Sequence, residues 1–463
     1  MSMIMMNSEY RNLPSVDKIL SDRQIQKLAE THPRELLLNL VRHQLDEARL
    51  TIAAGNSSPS ADEIVKSVSA HLHALENPGL RPVVNASGVI LHTNLGRAPL
   101  SDEAIAAMDI AARGYTNLEY DLDSGTRGSR QVHVEQLLCQ LTGAEAALVV
   151  NNNASAVLLT LTALSRRKEV VVSRGQAVEI GGSFRIPDVM RQSGAKLIEV
   201  GTTNCTYATD FKQAISPRTS ALMRVHSSNF RLVGFVNEVS LKELVELGNR
   251  NNLPVFDDLG SGCFLDTTVF GLAPEPMVQE SINIGAALAL FSGDKLVGGP
   301  QSGIIVGKKH LVDKLKRHPL ARAVRIDKTR LSGIAVTLIH YLKGEATTKV
   351  PAWRMISTPL SEISRRAEIW AKIIGSPARV IDGESMVGGG SLPGTTLPSK
   401  VVAIGEAGRK TSSQAQKLAI RLRSMDVPVI GRISDNMLLL DPRSVLPEED
   451  ETVLKTLRTL YAV

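Results

Sequence analysis

Apolar positions follow two different periods along this chain, and the change falls near residue 80. Leu36, Leu37, Leu40, Val41, Leu45 and Ala48 return at helical spacing, with Glu, Arg and Asp between them. Gly55-Asn56-Ser57-Ser58-Pro59-Ser60 interrupts that pattern. A further helix is expected from Asp62 to Glu76, capped by Ser60 and ended by Asn77-Pro78-Gly79. Residues 1–80 thus read as a separate helical domain, a small bundle that packs on a partner subunit.

From about Val83 short β-branched runs alternate with helical patterns. Ala147–Val150, Val170–Val172, Lys196–Val200, Ala221–Val225 and Val255–Phe256 read as buried strands, and Ala286–Phe291 as one more. This alternation predicts an α/β fold: a mostly parallel sheet with helices on both faces and functional loops at the carboxyl ends of its strands. Beyond residue 330 a helical stretch leads to Gly388-Gly389-Gly390-Ser391-Leu392-Pro393-Gly394. The tail then mixes strands and helices, including Val427–Arg432. A chain of 463 residues is too long for one core. The expected division is 1–80 helical, 81–330 catalytic core and 331–463 a smaller C-terminal α/β domain.

Two strand ends carry the chemistry. One apolar run stops at Ser292-Gly293-Asp294-Lys295, on a polar turn followed by Gly298-Gly299. A lysine there can be desolvated, lose its proton near neutral pH and form a Schiff base. The other run, Leu253–Phe256, ends in Asp257-Asp258 before Leu259-Gly260-Ser261-Gly262. A lysine to hold an aldehyde and an acid to keep a pyridine nitrogen protonated are what a pyridoxal phosphate (PLP) site needs. Lys295 and Asp258 are the candidate catalytic pair.

Other motifs sort around that pair. Val149-Val150 leads through Asn151-Asn152 into a helix, so backbone N–H groups at Asn153, Ala154 and Ser155 suit the cofactor phosphate. An ordinary N-cap would look the same in isolation. Ser292, in the lysine turn, joins them as a cofactor-binding candidate. Gly303–Lys309 lacks the spacing and the Ser/Thr of a P-loop and reads as a strand returning from the turn, and Gly260-Ser261-Gly262 is no dinucleotide fingerprint. Arg97 lies in a Gly-containing loop. Arg322 and Arg325, three apart, would share one face of a helix and could grip a tetrahedral oxyanion or simply be solvated. Arg127-Gly128-Ser129-Arg130 is a third basic loop, open between anion binding and a turn.

Composition excludes several classes. A hydrophobic content of 43% and a net charge of +6 suit a soluble globular protein with no compulsory polyanionic partner. Cys139, Cys205 and Cys263 form no CxxC pair, which argues against a disulfide framework or zinc site. No apolar run approaches the roughly 18–20 residues of a membrane span. The first residues lack a secretory pattern, so a cytoplasmic location is expected.

Four stretches resemble the bacterial selenocysteine synthases, the L-seryl-tRNA(Sec) selenium transferases. They are Asn85–Arg97, Leu118–Leu122, Glu179–Asp188 and Phe291–Lys295, and the likeness runs over nearly the whole chain. The resemblance implies a fold-type-I PLP-dependent transferase with Lys295 bearing the cofactor, and Arg97, Arg322 and Arg325 binding selenophosphate. It implies β-replacement on a serine esterified to tRNA(Sec), through an aminoacrylyl intermediate, by a homo-oligomer built as a ring of dimers (a homodecamer). The N-terminal domain would contact the tRNA, although residues 1–80 carry slightly fewer Lys and Arg than Asp and Glu. Two positions depart from the family: Gln176 stands where Glu is usual and Cys205 where Arg is usual. A PLP-dependent lyase acting on a small amino acid or amino sugar would use the same core residues. A tRNA-binding protein with a structural Lys295 is the non-enzymatic alternative.

Overall fold

A computed structural model describes residues 9–77, 79–180, 184–405 and 412–461. Gly181-Gly182-Ser183, within one of the four stretches above, and Pro78 lie outside the described residues. The chain divides into two compact units, Met1–Pro82 and Val83–Val463.

The first unit contains α1 (Val16–Leu20), α2 (Arg23–Ala29), α3 (Arg34–Ala53) and α4 (Ala61–Glu76). The apolar stripe of α3, Leu37, Leu40, Val41 and Leu45, packs on Ile64, Val65, Val68 and Leu72 of α4. Ser60 starts α4 through a reciprocal capping box. Its backbone N–H donates to Glu63 Oε2 at 2.7 Å, and its hydroxyl accepts from the Glu63 N–H. Such a cap contributes about 1 kcal/mol.

The second unit is built on seven strands: β1 (Ala146–Val150), β2 (Glu169–Ser173), β3 (Lys196–Val200), β4 (Thr219–Val225), β5 (Val255–Gly260), β6 (Leu288–Ser292) and β7 (Gly303–Gly307). Their spatial order is β1-β7-β6-β5-β4-β2-β3. Only β7 runs against its neighbours β6 and β1; the remaining pairs are parallel. Both faces are covered, which is why β1, β6 and β7 are buried along their whole length, whereas the edge strand β3, Lys196-Leu197-Ile198-Glu199-Val200, is buried only at Val200. Ala147, Val149, Ala289 and Phe291 enter one core; Leu148, Val150, Leu288 and Leu290 enter the other. The second core takes Ala156, Val157, Leu159 and Leu161 from helix α5 (Asn153–Ser165). Each buried leucine there contributes roughly 1.5–3 kcal/mol over an exposed one.

Residues 378–440 form a four-stranded antiparallel sheet: β8 (Ala378–Met386), β9 (Thr396–Ile404), β10 (Arg432–Ser434) and β11 (Met437–Leu440), ordered β8-β9-β11-β10. The run expected at Val427–Arg432 is divided between two ladders. Val429–Ile430 pairs with Val84–Asn85, and the chain joins the antiparallel sheet only at Arg432. No helix among the described residues is long and apolar enough to cross a membrane.

Candidate active site

Strands β5 and β6 lie side by side in parallel, with Asp258 opposite Leu290. Strand β5 runs on to Gly260, so Asp257 and Asp258 both belong to it and face opposite sides of the sheet. Asp257 is fully buried and receives two hydrogen bonds from Arg224, from Nε and Nη2 at 2.7 Å each, and a third from Ser281 Oγ. Both carboxylate oxygens are thus tied to the scaffold. Asp258 accepts from Asn153 Nδ2 at 2.9 Å and from the Gly260 N–H at 3.2 Å. Burial pushes its pKa up to about 6, against the opposing pull of the Asn153 hydrogen bond and the Lys295 charge.

Lys295 lies beyond the end of β6 and is 3% exposed. Its Nζ donates at 3.5 Å to the carbonyl of Gly390, in the loop joining β8 to β9. Burial, and next the Arg97 guanidinium, lower its pKa; Asp258, Asp294 and Glu275 act in the other direction. A poorly solvated amine that gives up its proton readily is what a nucleophilic lysine requires.

Three segments converge on that amine. Gly390 has φ +81°, and a Cβ there would lie 3.0 Å from Lys295 Nζ. At Gly260, φ +65°, a Cβ would lie 3.2 Å from Ser228 Oγ and 3.7 Å from Lys295 Nζ. Glycine is needed at both, for backbone conformation and for space. Ser228 Oγ and Asn153 Oδ1 are buried without a hydrogen-bond partner among the described residues. Orphaned polar atoms beside an amine and a carboxylate are a set that a polar ring such as PLP would satisfy.

Asn152 caps α5, its side chain accepting from the Ser155 N–H at 2.9 Å. The ordinary N-cap and the candidate phosphate site therefore coexist in one turn, and the Ser155 N–H is already engaged. Ala154 and Ser155 line a cavity of about 390 Å³ that also borders Arg185. Ser292 is the last residue of β6, buried and paired with Gly303. The Asn153 side chain is bound to Asp258, a contact that a backbone phosphate site does not foretell.

Arg97 follows Gly96 in the left-handed region, φ 68°, and its Nη1 donates to Asp294 Oδ2 at 2.8 Å. That pair ties the Arg97 loop to the lysine turn. Arg322 and Arg325 do not share a helical face. Helix α6 (Pro319–Ala323) ends before Arg325, because Val324 offers its carbonyl to the Asn151 N–H and Arg325 bridges to Val150. Both nevertheless line one cavity of about 390 Å³ with Arg127 and Arg130, and neither Arg97 nor Lys295 borders it. Gln176 is buried, and its Oε1 accepts from the Val225 N–H at 3.1 Å, holding β4 beside Asp258. Cys205 sits in a turn against Phe235.

A buried lysine beside a buried carboxylate, at the carboxyl edge of a seven-stranded and largely parallel sheet, marks a PLP-dependent enzyme of fold type I. The solved structure of D-glucosaminate-6-phosphate ammonia-lyase shares the fold, with a TM-score of 0.59 and 22% identity, over 83% of this chain and 96% of that one. Residues 83–446 match the family model described as L-seryl-tRNA selenium transferase, and residues 10–49 match that of the selenocysteine synthase N terminal. The L-seryl-tRNA(Sec) selenium transferase of Geobacter sulfurreducens is 48% identical over 461 residues, 97% of this chain and 99% of that protein. That of Moorella thermoacetica is 47% identical over 455 residues, 96% of each chain. The chain belongs to the L-seryl-tRNA selenium transferase family.

Proposed function

We propose that this chain converts L-seryl-tRNA(Sec) to selenocysteinyl-tRNA(Sec), with pyridoxal phosphate held at Lys295 and selenophosphate as the selenium donor. The observation that carries the reading is the buried Lys295 amine beside Asp258, in a chain matched almost end to end by relatives of that name. When bound, the cofactor supplies an electron sink for charge developing on the substrate α-carbon. The residues do the rest. Asp258 holds a proton on the ring nitrogen, and Asn153 and the Gly260 N–H fix the carboxylate that does so. Lys295 Nζ, once free, takes the α-proton of the seryl group, a role suited to its depressed pKa. Ala154, Ser155 and Ser292 contribute to the cofactor site. Arg322 and Arg325, which share one cavity, bind the phosphate of the donor by charge-assisted hydrogen bonds; Arg97, bound to Asp294 outside that cavity, is the third donor ligand that the family resemblance implies.

The N-terminal unit contacts the tRNA body, and the smaller C-terminal domain begins near residue 331. The working form is a cytoplasmic homo-oligomer, a ring of dimers. Exposed Ile105, Ile110, Tyr115 and Leu122 support association of copies, since so much apolar surface on one unit is costly in water. The test is an assay of labelled seryl-tRNA(Sec) with selenophosphate, run beside free serine and small amino sugars. Selenocysteinyl-tRNA(Sec) from the first and no turnover of the others is expected. Turnover of a small substrate alone would make the protein a lyase.

A further inference from the structure

Among the described residues, Glu119 is the one carboxylate bordering the arginine-lined cavity. Its Oε1 accepts from Arg130 Nε at 2.9 Å and Nη2 at 2.5 Å, and its Oε2 accepts from Arg127 Nη2 at 3.1 Å. Arg325 Nη1 stands 3.8 Å from the same Oε1. The Arg130 hydrogen bond, above all, holds the Glu119 carboxyl below the usual carboxylate range, so it stays ionised at neutral pH.

These cations come from separate segments. Arg127 ends a short hairpin, Tyr120–Asp121 against Thr126–Arg127, whose Gly128 N–H donates to the Glu119 carbonyl. Arg325 follows α6. Arg130 is the anchor: it is largely buried and also donates to the Ile326 carbonyl, next to Arg325. One carboxylate therefore links the hairpin, the buried anchor and the segment carrying Arg325. The side chains of Arg127 and Arg325 are otherwise exposed, and a long, free side chain loses much rotamer entropy when a ligand must order it.

We propose that Glu119 is the positioning residue of the anion pocket: it pre-orders Arg127 and Arg325 for the donor phosphate and does not itself touch the donor. This rests on the reading of Arg322 and Arg325 as donor ligands. Removing one acid also makes the cavity more positive, but the side chains of Arg127 and Arg325, the cations to be ordered, stand in water, where a free charge adds little attraction. Lost order outweighs added charge, and the anion is bound more weakly.

The test uses the holoenzyme and four variants: Glu119→Gln, Glu119→Asp, Arg325→Ala and Arg130→Ala. Glu119→Gln is expected to raise the KM for selenophosphate roughly ten-fold, as expected for charge-assisted contacts, with turnover at saturating donor little changed. Titration of inorganic phosphate into the same proteins should show a parallel loss of affinity. Glu119→Asp, which keeps the charge, should fall between Gln and wild type. Arg130→Ala should reproduce the Glu119→Gln pattern. An unchanged KM and phosphate affinity in Glu119→Gln, with Arg325→Ala impaired, would overturn the proposal. So would tighter phosphate binding, which would make Glu119 a brake on the site's charge. If Arg325→Ala also leaves the donor KM unchanged, the donor-pocket reading itself fails.

Discussion

Asn153 Nδ2 donates to Asp258 Oδ1 across 2.9 Å, joining the first turn of α5 to the end of β5. One residue thus belongs both to the candidate phosphate turn and to the carboxylate assigned to the ring nitrogen. Replacing Asn153 with Ala removes the leading influence that keeps Asp258 ionisable in its buried setting. A hydrogen bond to a charged group is worth about 1.5–3 kcal/mol. PLP affinity at pH 8 is expected to fall roughly ten-fold or more, read by titration of the cofactor-free protein.

Asp258 also makes the cofactor-free protein pH-sensitive. Its folded pKa, about 6, lies above the ordinary 3.8. The folded state therefore holds a proton that the unfolded chain has released. The associated stability is present below the ordinary value and is lost as pH rises through about 6, by about 3 kcal/mol at roughly 1.4 kcal/mol per pH unit. Asp258→Asn should raise the unfolding midpoint of the cofactor-free protein at pH 8 and change it little near pH 4. The same variant should lose turnover and keep PLP through Lys295, with an affinity reduced at least as much as in Asn153→Ala. A midpoint at pH 8 no higher than wild type would show the carboxylate to be better solvated than its burial implies.

Asp257, by contrast, is held by the scaffold. It is paired with Arg224 on the far side of the strand, and Arg224→Ala would leave a buried charge unpaired. The expected cost is about 3–5 kcal/mol of stability, seen in denaturant unfolding. The absorbance of bound PLP should persist in whatever fraction remains folded. Loss of cofactor without loss of stability would move the ring contact to Asp257.

A chain beginning at Arg81 should fold and bind PLP, since Val83–Val463 is a compact unit and contains every site residue named above. It should lose affinity for seryl-tRNA(Sec), because the site itself faces only the aminoacyl end. Binding measured across a salt series would separate specific from non-specific contacts. Unchanged affinity would place tRNA recognition in the larger unit.

Much of this arrangement is legible in the sequence, for physical reasons. Strands buried on both faces are rich in apolar runs, so the inner strands of the sheet are legible one by one, and Ser60 marks the start of α4. Lys295 stands out because a polar turn interrupts an apolar run. What is hidden depends on distance along the chain. Gly388-Gly389-Gly390 reads as a break between elements, yet Gly390 lies on Lys295, 95 residues away in sequence. Neighbouring residues of a strand face opposite ways, so only their partners distinguish Asp257 from Asp258. Three-residue spacing suggested a shared helical face for Arg322 and Arg325. The chain leaves the helix at Val324 to bond the start of α5, a tertiary contact that spacing cannot show.

The central claim is that Lys295 carries the cofactor. Borohydride reduction of the PLP-loaded protein, followed by peptide mapping, tests it directly. The expected result is a single phosphopyridoxyl label on the peptide containing Lys295, absent from Lys295→Ala along with the visible absorbance and all turnover. A label on another lysine, or a reducible chromophore surviving in Lys295→Ala, would contradict the account.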